Sequence, residues 1–193
     1  MKKVYIFLAE GFEEIEALTV VDLLRRAQIE AVTVSIQESK MVKGARGIKV
    51  EADLLLSEVK GTMADMLVLP GGMPGTIHLK ECEPLMEMVL GLHCAGAYIG
   101  AICAAPSILA ELGLLDGKKA TSYPSFEEQL SMAFYSYDSV VVDGQIVTSR
   151  GLGTAIDFAL KIIELLEGEA LAKEIADSVV YKIEGYSKDG NRK

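Results

Sequence analysis

Much is missing from this 193-residue chain, and each absence removes a class of function. No stretch approaches the roughly 20 consecutive apolar residues that a membrane-spanning helix needs. The apolar run at the N-terminus, Val4 to Ala9, stops at Glu10 before an acidic cluster and is too short for a signal peptide. No membrane association is expected, and the expected compartment is the cytoplasm. Positive charge is scarce: 19 Lys and Arg stand against 28 Asp and Glu, a net charge of -9. Such a surface repels phosphate backbones and anionic lipids, so no nucleic acid binding is expected.

The only cysteines are Cys82, Cys94 and Cys103, an odd set at irregular spacing that reads as free thiols in a reducing compartment. The only histidines, His78 and His93, form no metal-ligand spacing with them, and neither a metal nor a cofactor is expected. A G-x-G-x-x-G phosphate loop is also lacking. The first strand-to-helix turn reads Ala9-Glu10-Gly11-Phe12-Glu13-Glu14, acidic where a pyrophosphate would sit. No internal repeat or low-complexity segment breaks the pattern.

What is present is a chain half hydrophobic, of a length that suits one well-buried core. One domain is expected over residues 1–182, with a polar tail over residues 183–193. Lys3 to Leu8 reads as a strand, and Ala17, Val20, Val21, Leu24 and Ala27 have helical spacing. Ala31 to Ile36 closes a right-handed βαβ unit. Met41 to Leu56, with Gly44 and Gly47, reads as a β excursion on the edge of the main sheet. Strands at Met66–Leu69 and Tyr98–Ile102 alternate with helices at Glu83–Cys94 and Ala105–Leu112. Asp143-Gly144 marks a hairpin, and helices from Gly153 to Leu166 and from Glu169 to about Tyr181 follow. The implied fold is α/β, a mainly parallel sheet covered by helices on both faces, whose sites sit at the carboxyl ends of strands.

Three such ends carry chemistry. Cys103, in Gly100-Ala101-Ile102-Cys103-Ala104-Ala105-Pro106, is placed where a strand turns sharply into a helix among small residues, like a nucleophile elbow with Cys for Ser. A helix N-terminus there favours thiolate; the alternative is a buried Cys serving as a small apolar residue. Gly71 and Gly72 offer backbone NH groups to an oxyanion, or simply form a tight loop. Glu16 is either a buried proton carrier beside the thiol or a solvated helix charge among Glu10, Glu13 and Glu14. The run Ser149-Arg150-Gly151-Leu152-Gly153-Thr154 opens a helix as an anion cradle or as a structural cap.

Four segments together, Ala9 to Glu16, Leu69-Pro70-Gly71-Gly72, Ala101 to Pro106 and Thr148 to Thr154, resemble the ThiJ/PfpI superfamily, in the branch of the Parkinson-disease protein deglycase and bacterial YajL. The resemblance implies a flavodoxin-like three-layer sandwich with a nucleophile elbow, usually as a homodimer. It implies that Cys103 is the reactive, redox-sensitive nucleophile and Glu16 its protonated partner. Gly72, with Gly71 beside it, is implied to line the oxyanion pocket, and Arg46 matches an arginine that reaches the neighbouring subunit's site. The implied activity is glyoxalase or deglycase chemistry on α-oxoaldehydes such as methylglyoxal, or on glycated substrates, without a cofactor, in carbonyl and oxidative stress. The alternative is a redox sensor or redox-regulated chaperone working through Cys103 oxidation.

Two departures qualify this. Ala104 follows the cysteine where protease-like members carry a histidine, so peptidase activity is not expected. Thr121-Ser122-Tyr123-Pro124 stands where the Parkinson-disease protein has Thr-Thr-His-Pro. Tyr123, with an unperturbed pKa near 10, lines the substrate site without serving as a neutral-pH base.

Overall fold

The computed structural model describes residues 1–59 and 64–181. Strand β1 (Lys3–Leu8) shows how the sequence builds the layers. Successive side chains of a strand point to opposite faces, and every second residue here is apolar on each side. Val4, Ile6 and Leu8 enter one core; Tyr5, Phe7 and then Ala9 enter the other. A strand apolar on both faces belongs in the middle of a covered sheet, and β1 lies there.

From β1 the chain enters α1 (Glu14–Arg26), whose Ala17, Val20, Val21 and Leu24 form the buried stripe. It continues through β2 (Glu30–Ser35), β3 (Met41–Lys43), β4 (Lys49–Glu51), β5 (Leu54–Leu55), β6 (Met66–Leu69), α2 (Gly75–Lys80), α3 (Glu83–Cys94), β7 (Tyr98–Ile102) and α4 (Pro106–Glu111). Then come β8 (Lys119–Ala120), β9 (Phe134–Tyr135), β10 (Val140–Asp143), β11 (Ile146–Ser149), α5 (Ala155–Glu167) and α6 (Glu169–Ser178). The main sheet has seven strands in the order β10-β11-β7-β6-β1-β2-β5. Every pairing in it is parallel except β10 with β11, the Asp143-Gly144 hairpin. Residues of α1, α5 and α6 pack on one face, and residues of α2, α3 and α4 on the other. The result is the three-layer α/β sandwich that the alternation implies.

Chain order places the crevice. After β1 the chain moves outward to β2 and the edge, then returns to lay β6 on the opposite side of β1. The connections leaving β1 and β6 therefore diverge, and a crevice opens at their carboxyl ends.

One element departs from expectation. The 41–56 excursion is not a simple extension of the main sheet: β3 and β4 pair only with each other, and Leu54–Leu55 alone joins the edge at Val34 and Ser35. At Thr33 the edge is taken by the Asp53 carboxylate, which accepts from its backbone NH at 2.8 Å and its hydroxyl at 2.7 Å. The hairpin is drawn instead to the β1–α1 turn, where Gly11 N donates to Lys43 O and Ala45 N to Phe12 O, both at 2.8 Å. The short elements α2, β8 and β9 also lie where no periodicity announced them. The expected tail over 183–193 lies outside the described residues.

Candidate functional site

The turns after β1, β6, β7 and β11 converge at the carboxyl end of the sheet. Cys103 comes directly after β7 with φ of +66°. A side-chain-bearing residue in that left-handed region costs about 1–2 kcal/mol, so the surroundings must hold it. Its NH donates to Ser149 O at 3.0 Å, and its carbonyl accepts from Tyr123 N at 2.8 Å. Pro106 opens α4 just beyond. The elbow read from the small residues is thus pinned on both sides by neighbouring segments.

Glu16 is buried, with 1% of its surface exposed, although it lies in an acidic run. Gly71 N donates to its Oε2 at 2.9 Å. Its carboxyl also hydrogen-bonds the Cys103 side chain and accepts from the Leu152 NH. Burial pushes the Glu16 pKa up to about 7, and the nearby Glu13 charge adds to this; the hydrogen bonds oppose it without winning. The solvated-charge alternative for Glu16 is therefore removed.

The Cys103 thiol is pushed up to about 12, first by burial and then by the charge and hydrogen bond of ionised Glu16. The helix N-terminus expected to favour thiolate is opposed here by burial and by Glu16. Helix α4 is only 6 residues long, and its short dipole is outweighed by desolvation and by a carboxylate next door. The Ala104 and Gly72 NH groups act the other way, each donating toward the sulfur. The repulsive part exists only while Glu16 is ionised. Once Glu16 holds its proton, it becomes a donor, so a thiolate here is the partner of a protonated Glu16.

Gly71 also needs a correction. Its single NH is committed to Glu16, so it is not an oxyanion donor; the NH groups facing the sulfur are those of Gly72 and Ala104. It is glycine for space. A Cβ there would lie 2.6 Å from Cys103 Cβ and 2.8 Å from Glu16 Oε2. Gly72 has φ of +93°, and a Cβ on it would meet Glu13 N at 2.3 Å.

Arg46 is held beside the first turn of α1. Its NH donates to the buried Glu14 carboxylate at 2.7 Å, and its largely exposed guanidinium lies 3.9 Å from Glu13 Oε2. Within the chain it faces Glu13 and the solvent. Tyr123 is half exposed, and its ring borders the position of Gly151, where a Cβ would lie 3.4 Å from Tyr123 Cδ2, 3.8 Å from Glu16 Oε1 and 3.9 Å from Cys103 Sγ.

Gly151 and Leu152 are the site residues the sequence did not single out. Their run was legible as an anion cradle or a cap; the structure shows the cap, with Thr154 Oγ1 accepting from Gly151 N at 3.1 Å, and the Leu152 NH bearing on Glu16. The paired glycines around Leu152 were the available signal. Among the described residues no cluster of three His, Cys, Asp or Glu side chains could hold a metal ion, and no helix is long and apolar enough to cross a membrane.

The model of the DJ-1/PfpI family matches residues 2–165. The chain belongs to that family. It is 41% identical over 183 residues to the Arabidopsis thaliana protein DJ-1 homolog B, which covers 94% of this chain but only 42% of that longer protein. The chain thus spans less than half the length of that relative. It is 35% identical over 161 residues to the Caenorhabditis elegans glutathione-independent glyoxalase DJR-1.2, covering 82% of this chain and 85% of that one. The solved structure of oxidized Toxoplasma gondii DJ-1 superposes with a TM-score of 0.91 at 40% identity, over 95% of this chain and all of that one. The DJ-1/PfpI assignment agrees with the four sequence segments, and all four supply groups that meet around Cys103 and Glu16.

Proposed function

We propose that this DJ-1/PfpI protein is a cysteine-dependent glyoxalase or deglycase that acts on α-oxoaldehydes such as methylglyoxal, or on their adducts, without glutathione. The observation that carries the reading is the pairing of the partly buried Cys103 with the buried Glu16 carboxyl, poised near neutral pH. The similarity to a nematode protein named as a glutathione-independent glyoxalase supports it. Ala104 directly after the nucleophile argues against a peptidase.

In this reading the Cys103 sulfur adds to the aldehyde carbon while the proton it shares with Glu16 passes to the developing oxyanion, which the Gly72 and Ala104 NH groups steady. Glu16, thereby ionised, removes the hydrogen from that carbon and returns it to the neighbouring ketone carbon, and the hydroxyl proton moves to the ketone oxygen. The aldehyde carbon is thereby oxidised to a thioester while the ketone carbon is reduced to an alcohol. Water then cleaves the thioester, releasing a 2-hydroxy acid, lactate from methylglyoxal, and restoring the thiol. Arg46 and Tyr123 border the entrance in this scheme. In a homodimer, the exposed guanidinium of Arg46 would extend toward the partner's site. The proposed setting is carbonyl and oxidative stress in the cytoplasm.

Lactate formation from methylglyoxal by the wild type and by Cys103→Ala tests the mechanism; equal rates would sink it. A second reading, a redox sensor or redox-regulated chaperone, is favoured by the likeness to a structure described as oxidized. In it Cys103 is oxidised by peroxide to a sulfinate held by a protonated Glu16. Intact mass after mild peroxide separates the two, because the sensor requires oxygen on Cys103 before Cys82 or Cys94.

A further inference from the structure

The turn that meets Glu16 is held by two hydroxyl groups outside the reacting pair. Ser149, the buried last residue of β11, donates its hydroxyl to Ser139 O at 2.8 Å. Thr154 Oγ1 lies 2.7 Å from Ser149 Oγ and also donates to Gly151 O at 2.9 Å; a hydroxyl carries one hydrogen, so these two acceptors share it. Thr154 Oγ1 in turn accepts the Gly151 NH at 3.1 Å. Thr154 N also donates to Gly151 O at 2.8 Å. Thr154 thus holds both backbone groups of Gly151 and rests on Ser149, which is itself anchored to Ser139.

Thr154 occupies the N-cap position of α5 yet makes no side-chain cap bond to that helix. A threonine there ordinarily satisfies a free NH of the first helical turn. This hydroxyl is turned away from the helix and onto Gly151. What it holds is the piece of backbone nearest the reacting groups, because a Cβ on Gly151 would stand 3.8 Å from Glu16 Oε1 and 3.9 Å from Cys103 Sγ. The next residue, Leu152, gives its NH to the Glu16 carboxyl.

We infer that Ser149 and Thr154 are positioning residues: their hydroxyl relay fixes the 151–152 turn against Glu16 and so sets how readily that carboxyl gives up its proton. The inference rests on the reading of Glu16 as the proton carrier. The groups that bear on this carboxyl are the Cys103 thiol from the β7–α4 elbow, Glu13 from the start of α1, and the NH groups of Gly71 and Leu152. Of these, the Leu152 NH lies on the turn that the two hydroxyls hold, while Cys103 is tied to Ser149 through the backbone carbonyl, which a side-chain change leaves in place. Gly71 is held separately, its carbonyl accepting from Glu13 N at 2.9 Å.

The test is the titration of the Glu16 carboxyl, followed by carbon NMR with labelled glutamate and assigned with Glu16→Gln. Thr154→Val removes the hydroxyl at nearly constant shape. Losing an NH that favours the ionised form raises the midpoint, by up to about one pH unit, a tenfold change in ionisation constant. Thr154→Ser keeps a hydroxyl and returns the midpoint to the wild-type value, which a purely structural loss would not do. Ser149→Ala removes the far end of the relay and gives a shift of the same sign, so the test survives if Thr154→Val does not fold. A folded Thr154→Val or Ser149→Ala protein that titrates like the wild type overturns the inference. A wild-type midpoint far from neutrality overturns the proposed acid–base role of Glu16 instead, while the comparison between variants still decides the relay.

Discussion

Gly71 donates its NH to Glu16 Oε2 at 2.9 Å while its Cα lies so close to the elbow that a Cβ would stand 2.6 Å from Cys103 Cβ. One backbone position therefore holds the carboxyl and leaves room for the thiol. Gly71→Ala is expected to force the elbow and the carboxyl apart. Overpacking of this kind costs about 1–3 kcal/mol. A misplaced reacting group costs rate steeply, so lactate formation from methylglyoxal should fall by about 100-fold. A melting curve and a rate assay check both; a variant with wild-type turnover contradicts the assigned role of Gly71.

The raised pKa of Glu16 makes a statement about stability. The unfolded carboxyl ionises near pH 4.5 and the folded one near 7, so the folded state binds the proton more tightly. The stabilisation from keeping it is complete below about pH 4.5 and is lost as pH rises through 7. Glu16→Gln, which never ionises, should remove this slope. At pH 8 the variant is expected to gain up to about 3 kcal/mol over the wild type and to gain nothing at pH 4. Denaturant unfolding across that range checks the prediction; parallel curves for the two proteins would refute it.

These features differ in how plainly the sequence announced them. The sheet was legible because β1, β6 and β7 are runs of apolar residues whose alternation has one good solution, burial on both faces. Cys103 was legible because small residues flank it on both sides of a strand-to-helix junction. Glu16 was not: three other acids precede it within six residues, and helical periodicity cannot tell which carboxyl the crevice will desolvate. The Leu152 NH was less legible still, because a backbone donor leaves no mark in the residue type. The separate β3–β4 hairpin escaped for a related reason. Its place is set by Asp53 occupying the edge at Thr33, a contact across 20 residues that local pattern does not carry.

The φ of +66° at Cys103 permits a test that needs no substrate. Cys103→Ala removes the sulfur and keeps the strained backbone; Cys103→Gly removes both. Glycine adopts the left-handed region freely, although it loses more freedom on folding. The net expectation is a Cys103→Gly protein more stable than Cys103→Ala by about 0.5–1 kcal/mol, the reverse of the usual order of these residues. Equal or inverted melting temperatures would show that the elbow is not strained.

Tyr123 stands beside the site, at the position where the resemblance to the Parkinson-disease protein implies a histidine, and its backbone is already anchored by the 2.8 Å bond from its NH to Cys103 O. That anchor does not depend on the side chain, so Tyr123→His should place an imidazole at the same entrance without moving the elbow. A histidine ionises near pH 6.5 and can take up the proton-transfer work that a phenol cannot do at neutral pH. Turnover of methylglyoxal by Tyr123→His should rise by about tenfold at pH 7, and its pH–rate profile should gain a limb near 6.5. A profile unchanged from the wild type, with Cys103 still alkylated at the wild-type rate, would mean that Cys103 and Glu16 handle every proton themselves and that the side chain at position 123 only shapes the opening.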